Sequence, residues 1–155
     1  MELTPILSIL RASGMKIVFT NGCFDIIHTG HTRYLEKAKA EGDVLVVGLN
    51  SDASVRGIKG EKRPVNNETD RAEALSALKA VDYVTIFSEP DPYNVIAAIQ
   101  PDVLVKGGDW PLDKIIGRDI VEARGGRVVN LPYIEGRSTT GIIEKIIRSY
   151  CVNMM

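Results

Sequence analysis

Apolar residues follow two rhythms along this chain. Short unbroken runs, such as Ile17-Val18-Phe19, Val44-Leu45-Val46-Val47 and Val103-Leu104-Val105, alternate with stretches where apolar positions return every three or four residues. Unbroken runs bounded by turn residues predict strands buried on both faces, and the slower rhythm predicts covering helices. Strands are expected over 15–21, 43–50, 81–87, 102–106 and 127–131. Helices are expected over 30–41, stopped by Gly42, from Asn67 to about residue 80, over 91–99, over about 112–124, and from Ser138 to the end. Asn67 with Asp70 three residues later reads as a capping box. In the last helix Ile142, Ile143, Ile146 and Ile147 form an apolar stripe. The polar segment 51–67 is expected to be a long loop. Residues 1–14 read as a short amphipathic helix leading into a single domain over 15–150.

Strand–helix alternation of this kind implies an α/β fold: one Rossmann-like, doubly wound parallel sheet of five strands with helices on both faces. Ligands of such sheets bind beyond the C-terminal strand ends, where strand order reverses. Polar and glycine-rich segments gather at those ends here, whereas the opposite loops, Glu41-Gly42 and Arg124-Gly125-Gly126, are short and plain.

Composition narrows the reading only slightly. The 155 residues carry a net charge of −1, so any anion site must be a local cluster. Nothing draws the chain as a whole toward nucleic acid or membrane. Two distant cysteines, Cys23 and Cys151, make no disulfide framework, and a cytoplasmic location is expected. The N-terminus resembles neither a signal peptide nor a membrane span.

Both histidines of the chain fall within TNGCFDIIHTGH, at a predicted helix start. A helix N-terminus offers unpaired N–H groups and a positive dipole end, which suits phosphate. His28 and His31 share one face of the first turn and can donate to two oxygens of a triphosphate, and Gly30 lets the phosphate come close. Two other readings stay open. The histidines are helix caps and structural contacts, or they join Cys23 as metal ligands, although the spacing matches no common zinc pattern.

Further candidates sit at the same sheet edge. Arg56, Lys59, Lys62 and Arg63 form a basic run that is either a solvated surface or a lid closing on phosphates. Arg71 either pairs with Asp70 or Glu68 or reaches the same anion. Arg137-Ser138-Thr139-Thr140 opens the last helix, as a plain N-cap or as a second phosphate site. Asp109 and Trp110 are a loop pair that can serve ribose hydroxyls and ring stacking. The G-x-G-x-x-G fingerprint and the P-loop are both absent.

Taken together, Asn21-Gly22-Cys23-Phe24-Asp25 with His28-Thr29-Gly30-His31, and Ser138-Thr139-Thr140 with Gly141-Ile142-Ile143, resemble the two signatures of the H-x-G-H nucleotidyltransferase superfamily. N-S-D-A-S at 50–54, K-G-x-x-R-P-V-N at 59–66 and V-K-G-G-D at 105–109 resemble its D-glycero-D-manno-heptose 1-phosphate adenylyltransferases. A stand-alone form, with no kinase domain before the motif, is expected.

That resemblance implies transfer of AMP from ATP to the sugar phosphate, giving ADP-heptose for lipopolysaccharide or other surface glycans, with Mg²⁺ carried on the phosphates rather than by protein ligands. It implies His28, His31 and Lys59 as catalytic groups. It places Asn21, Gly22, Cys23, Phe24, Gly30, Asp109, Arg137, Ser138, Thr139 and Thr140 around the nucleotide. Asp25, Lys62, Arg63, Arg71, Lys106, Gly107 and Trp110 are expected nearer the acceptor. Asp25 is expected to orient a histidine or hold the Gly22 turn. A homodimer paired through Ala77–Phe87 is also implied, with no nucleic-acid or membrane partner.

Glycerol-3-phosphate cytidylyltransferases carry R-T-E-G before S-T-T, where this chain has Tyr133-Ile134-Glu135-Gly136, which favours adenine. FMN adenylyltransferases share the histidine chemistry. A regulatory nucleotide-binding module remains the non-enzymatic alternative.

Overall fold

The computed structural model describes residues 3–108 and 110–151. Five parallel strands, β1 (Ile17–Gly22), β2 (Val44–Asn50), β3 (Tyr83–Phe87), β4 (Val103–Gly107) and β5 (Arg127–Leu131), lie in the order β3-β2-β1-β4-β5. β1 is central, in register with β2 from Ile17↔Val44 to Gly22↔Leu49 and with β4 at Val18↔Val103 and Phe19↔Leu104. The order reverses between β1 and β4, so the binding crevice opens there.

Each unbroken apolar run splits into two faces because successive strand side chains alternate. Val18, Leu45, Val47, Leu49, Val103 and Val105 join one buried cluster. It is covered by α2 (Thr29–Lys39) through Leu35 and Ala38, and by α4 (Glu68–Ser76) through Leu75. Ile17, Phe19, Val44, Val46 and Leu104 join the other, with Ile96 and Ile99 of α5 (Tyr93–Ile99) and Val121 of α6 (Arg118–Ala123). α1 (Leu3–Ala12) belongs to this second layer. Its Leu7 is buried there, and the Arg11 guanidinium donates to the carbonyls of Ile99 and Gln100 at the end of α5.

Two predicted elements differ from the structure. Segment 51–67 is not all loop: Ser51 accepts from the Ser54 N–H and caps α3 (Asp52–Lys59), a helix whose buried positions are Ser54 and Val55. Its eight residues include Gly57 and lie within a polar stretch, so the segment reads as loop. The helix expected over 112–124 is interrupted. A 3₁₀ turn at Leu112–Lys114 leads into an extended Ile115, which is buried, and Gly117 at φ +86° before α6. A Cβ on Gly117 would lie 2.6 Å from Ile96, so the break and its glycine seat this segment on α5. Asn67 caps α4 by accepting from the Asp70 N–H at 2.9 Å, as the capping box predicts, although α4 ends at Ser76. α7 (Thr139–Tyr150) has no fully buried residue. In its stripe Ile142 and Ile143 are half-buried, while Ile146 and Ile147 are exposed.

Candidate active site

β1 delivers Asn21 and Gly22 to the crevice rim, and the chain turns through Cys23, Phe24 and Asp25. Phe24 is buried in a left-handed conformation at φ 44°, with its ring so close over Gly22 that a Cβ there would lie 2.9 Å away. Strain of this kind is held by surrounding structure, and here that structure is visible. Asp25, 2% exposed, accepts from the backbone N–H groups of Val65 and Asn66 and from Arg63 Nε at 2.5 Å, while Asn66 Nδ2 donates to the Asp25 carbonyl. Burial pushes the Asp25 carboxyl up, but the two N–H groups and the guanidinium outweigh it and hold the pKa below its ordinary value.

Arg71, 1% exposed, donates to the carbonyls of Asn66, Cys23 and Asn50 and to Asp52 Oδ1. Three expectations therefore change. Asp25 orients no histidine and is buried away from any acceptor; its bonds fasten segment 63–66 to the turn that follows Gly22, the second of its two expected roles. Arg71 pairs with Asp52, not Asp70 or Glu68, and its fork is spent inside the protein. Arg63 is anchored to Asp25 at the root of the basic segment, while Lys59 and Lys62 are exposed.

His28 is the N-cap of α2. Its Nδ1 accepts from the Gly30 N–H at 3.1 Å, so the neutral ring carries its proton on Nε2. The His31 ring stacks on it with centroids 3.8 Å apart and planes at 24°, and Phe24 meets His31 edge-on at 5.3 Å. The cap reading and the phosphate-donor reading thus describe two nitrogens of one ring. Both imidazoles favour neutrality without ligand. Burial and then Arg137 lower the His28 pKa; His31 is pushed down to about 4 by burial and the His28 ring, against the pull of the Ile26 carbonyl. His31 Nδ1 is buried with no hydrogen-bond partner among the described residues. The folded state binds this proton less readily than the unfolded chain does. Ligand-free stability is therefore expected to fall as pH drops from the ordinary histidine value of 6.5 toward about 4, and thermal unfolding across that window checks it.

The second motif arrives at the same place. Ser138 caps α7 by accepting from the Gly141 N–H at 3.0 Å, placing Thr139 and Thr140 in its first turn. A Cβ on Gly30 would lie 2.7 Å from the His28 ring and 3.1 Å from Arg137 Cβ. Residue 30 must therefore be glycine for the starts of α2 and α7 to meet. Two positive helix ends, two imidazoles, a guanidinium and hydroxyl groups then face one rim.

Along β4, Lys106 Nζ donates to Asn21 Oδ1 at 3.2 Å. Gly107 and Gly108 run beneath the Tyr133 ring: a Cβ on them would lie 3.1 and 2.6 Å from it. Tyr133 was not expected here, since a single exposed aromatic after a strand carries no pattern. Trp110 is half-exposed, its carbonyl accepting from Asn130 at 2.5 Å. Asp109 lies outside the described residues. Cys23 is half-buried, and burial raises its thiol pKa despite nearby Lys59, Arg71 and Arg63. Among the described residues no three metal-ligating side chains gather, so Cys23, His28 and His31 do not form a ligand set. Among them, too, no helix is long and apolar enough to cross a membrane.

A doubly wound sheet whose crevice is framed by these two motifs is the architecture of a nucleotidyltransferase, and the chain belongs to the cytidylyltransferase-like family, whose model matches residues 19–145. It is 58% identical over 140 residues to "Bifunctional protein HldE" of Citrifermentans bemidjiense, covering 90% of this chain and 29% of that one. It is 60% identical over 135 residues to the protein of the same name in Hyphomonas neptunium, covering 87% and 28%. This chain therefore spans less than a third of the length of these curated relatives. The crystal structure of a lipopolysaccharide core biosynthesis protein from Thermoplasma volcanium superposes with a TM-score of 0.65 at 31% identity, covering 80% of this chain and all of the other.

Proposed function

We propose that this chain transfers AMP from ATP to D-glycero-D-manno-heptose 1-phosphate, releasing pyrophosphate and giving ADP-heptose. The observation that carries the reading is the convergence of two helix starts on the His28–His31 stack, a site shaped for a polyphosphate. The lipopolysaccharide-related structural neighbour supports a sugar-phosphate acceptor. Tyr133 over Gly107 and Gly108, where the cytidylyltransferases carry arginine, supports adenine over cytosine.

The acceptor phosphate attacks the α-phosphorus. A new P–O bond forms, the bond to the β-phosphate bridging oxygen breaks, and its electron pair leaves with pyrophosphate. His28 Nε2–H and His31 donate to the phosphate oxygens as charge develops, and Ser138, Thr139, Thr140 and Arg137 hold the leaving end. Gly30 keeps the surface open. Lys59 and Lys62, on a segment fixed at its root by Asp25, close on the pyrophosphate. Asn21, Gly22, Cys23 and Phe24 wall the nucleotide, with Gly107, Trp110 and Asp109 beside its ribose and base. The donor set here suits phosphate rather than metal, so Mg²⁺ would be held by the triphosphate, where it would supply charge neutralisation for the leaving group. We place the enzyme in the cytoplasm as a homodimer through Ala77–Phe87. β3 is an edge strand with Ile86 exposed, which supports that pairing.

Pyrophosphate release tests the reading directly. Heptose 1-phosphate anomers, FMN and glycerol 3-phosphate are each offered with ATP and CTP. Turnover is expected with ATP and a heptose 1-phosphate; FMN or CTP turnover would replace the substrate assignment, and silence with every pair would favour a regulatory module.

ATP binding is also expected to draw protons, because a polyanion against His28 and His31 favours their charged forms. Affinity then rises as pH falls from neutrality toward the ligand-free His31 value of about 4. Calorimetry in buffers of different protonation enthalpy measures the uptake. Binding with no uptake at pH 6 would mean that neither ring meets a phosphate.

A further inference from the structure

Among the described residues Lys106 is a cation without a counter-charge, set where β4 meets the crevice. Its one hydrogen bond among the described residues goes to Asn21 Oδ1 at 3.2 Å, and among those residues no ion pair includes it. An ammonium has three protons to place, so two lack an acceptor among those residues. The residue is partly buried, and burial pushes its pKa down. Such an arrangement costs stability unless an anion arrives.

Its position says which anion. Lys106 follows Leu104, and Asn21 follows Ile17 and Phe19, on the sheet face that carries α1, α5 and α6. α2 packs on the opposite face through Leu35 and Ala38, and the histidines open that helix. β1 and β4 are neighbours at the strand-order reversal, so Lys106 and the histidine pair flank one crevice from opposite sides. In-line displacement needs the attacking oxygen and the leaving pyrophosphate on opposite sides of the phosphorus. With the triphosphate tail at the starts of α2 and α7, the attacking group belongs at Lys106.

We infer that Lys106, steadied by Asn21, binds the phosphate of the acceptor and aims its oxygen at the α-phosphorus of ATP. This rests on the adenylyl transfer proposed above. A phosphate monoester, with a second pKa near ~6, is already a dianion at neutral pH. It attacks without giving up a proton, so the site requires a cation to hold it and no base. Lys106 thereby selects acceptors that present a phosphate dianion.

Lys106→Met, Lys106→Arg and Asn21→Asp test this, with KM for heptose 1-phosphate and for ATP read separately and folding checked by thermal unfolding. Lys106→Met is expected to raise the acceptor KM roughly 10- to 100-fold, the loss of one charge-assisted contact, with KM for ATP little changed. Lys106→Arg recovers part of it. Asn21→Asp, which keeps the lysine but sets a carboxylate beside it, raises the acceptor KM as well. An active wild type whose Lys106→Met form keeps its acceptor KM, or loses ATP and acceptor affinity together, overturns the inference and leaves the proposed reaction standing. A wild type silent with every sugar phosphate overturns both.

Discussion

Replacing His28 with alanine is expected to lower turnover about 10²- to 10³-fold, the loss seen when one transition-state donor is removed. The substitution strips two functions from one ring. The proposed Nε2–H contact with the phosphates is lost, and Nδ1 no longer accepts from the Gly30 N–H. The second loss costs roughly 1 kcal/mol of stability, as for other N-caps. His28→Asn separates them, because asparagine caps a helix well but cannot reach as far. Stability is expected to return toward wild type while turnover stays depressed. Steady-state kinetics beside urea unfolding resolves the pair. Turnover within a few-fold of wild type in the alanine form would remove His28 from the chemistry.

Arg71→Met is expected to be the most damaging change to the fold, at about 3–5 kcal/mol, the loss typical of breaking a buried charge network from one side. It orphans three carbonyls, at Cys23, Asn50 and Asn66, and leaves Asp52 without its cation. Those carbonyls belong to the histidine turn, the end of β2 and the root of the basic segment, so three parts of the rim loosen together. Arg71→Lys recovers little, since one ammonium cannot span a fork of four acceptors. Urea unfolding reads the loss. A change below ~1 kcal/mol would show that the neighbouring backbone holds the turn without the guanidinium.

The sheet and its order of helices were legible because each buried run splits cleanly into Val18, Val47 and Val105 on one face and Phe19, Val46 and Leu104 on the other. The helix starts at Asn67 and Ser138 were legible because capping needs a particular oxygen at a particular place. α3 escaped because it is only eight residues long and carries Gly57 within a polar stretch, and the break at Gly117 because only the packing against Ile96 demands it. In the site, motif spacing pointed to His28, His31 and Ser138, which the structure gathers at one rim, but not to which way the neighbouring charged residues point. Asp25 and Arg71 looked like substrate ligands because a charged residue beside a motif looks the same whether it faces inward or outward. Their partners, at Val65, Asn66, Asn50 and Asp52, lie too far along the chain for spacing to reveal.

α7 brings its capped start to the crevice rim, yet it sinks no side chain fully into the body. Its seat is shallow, so the nucleotide does more than occupy a finished socket. Bound as proposed, from Ser138 to His28, it would pin the helix down, and whatever free energy the bridge supplies would also steady α7. Affinity for ATP and the residence of that helix on the domain are then one coupled quantity. A substitution along the exposed Ile146–Ile147 flank, two turns from any phosphate, can change nucleotide binding without touching the nucleotide.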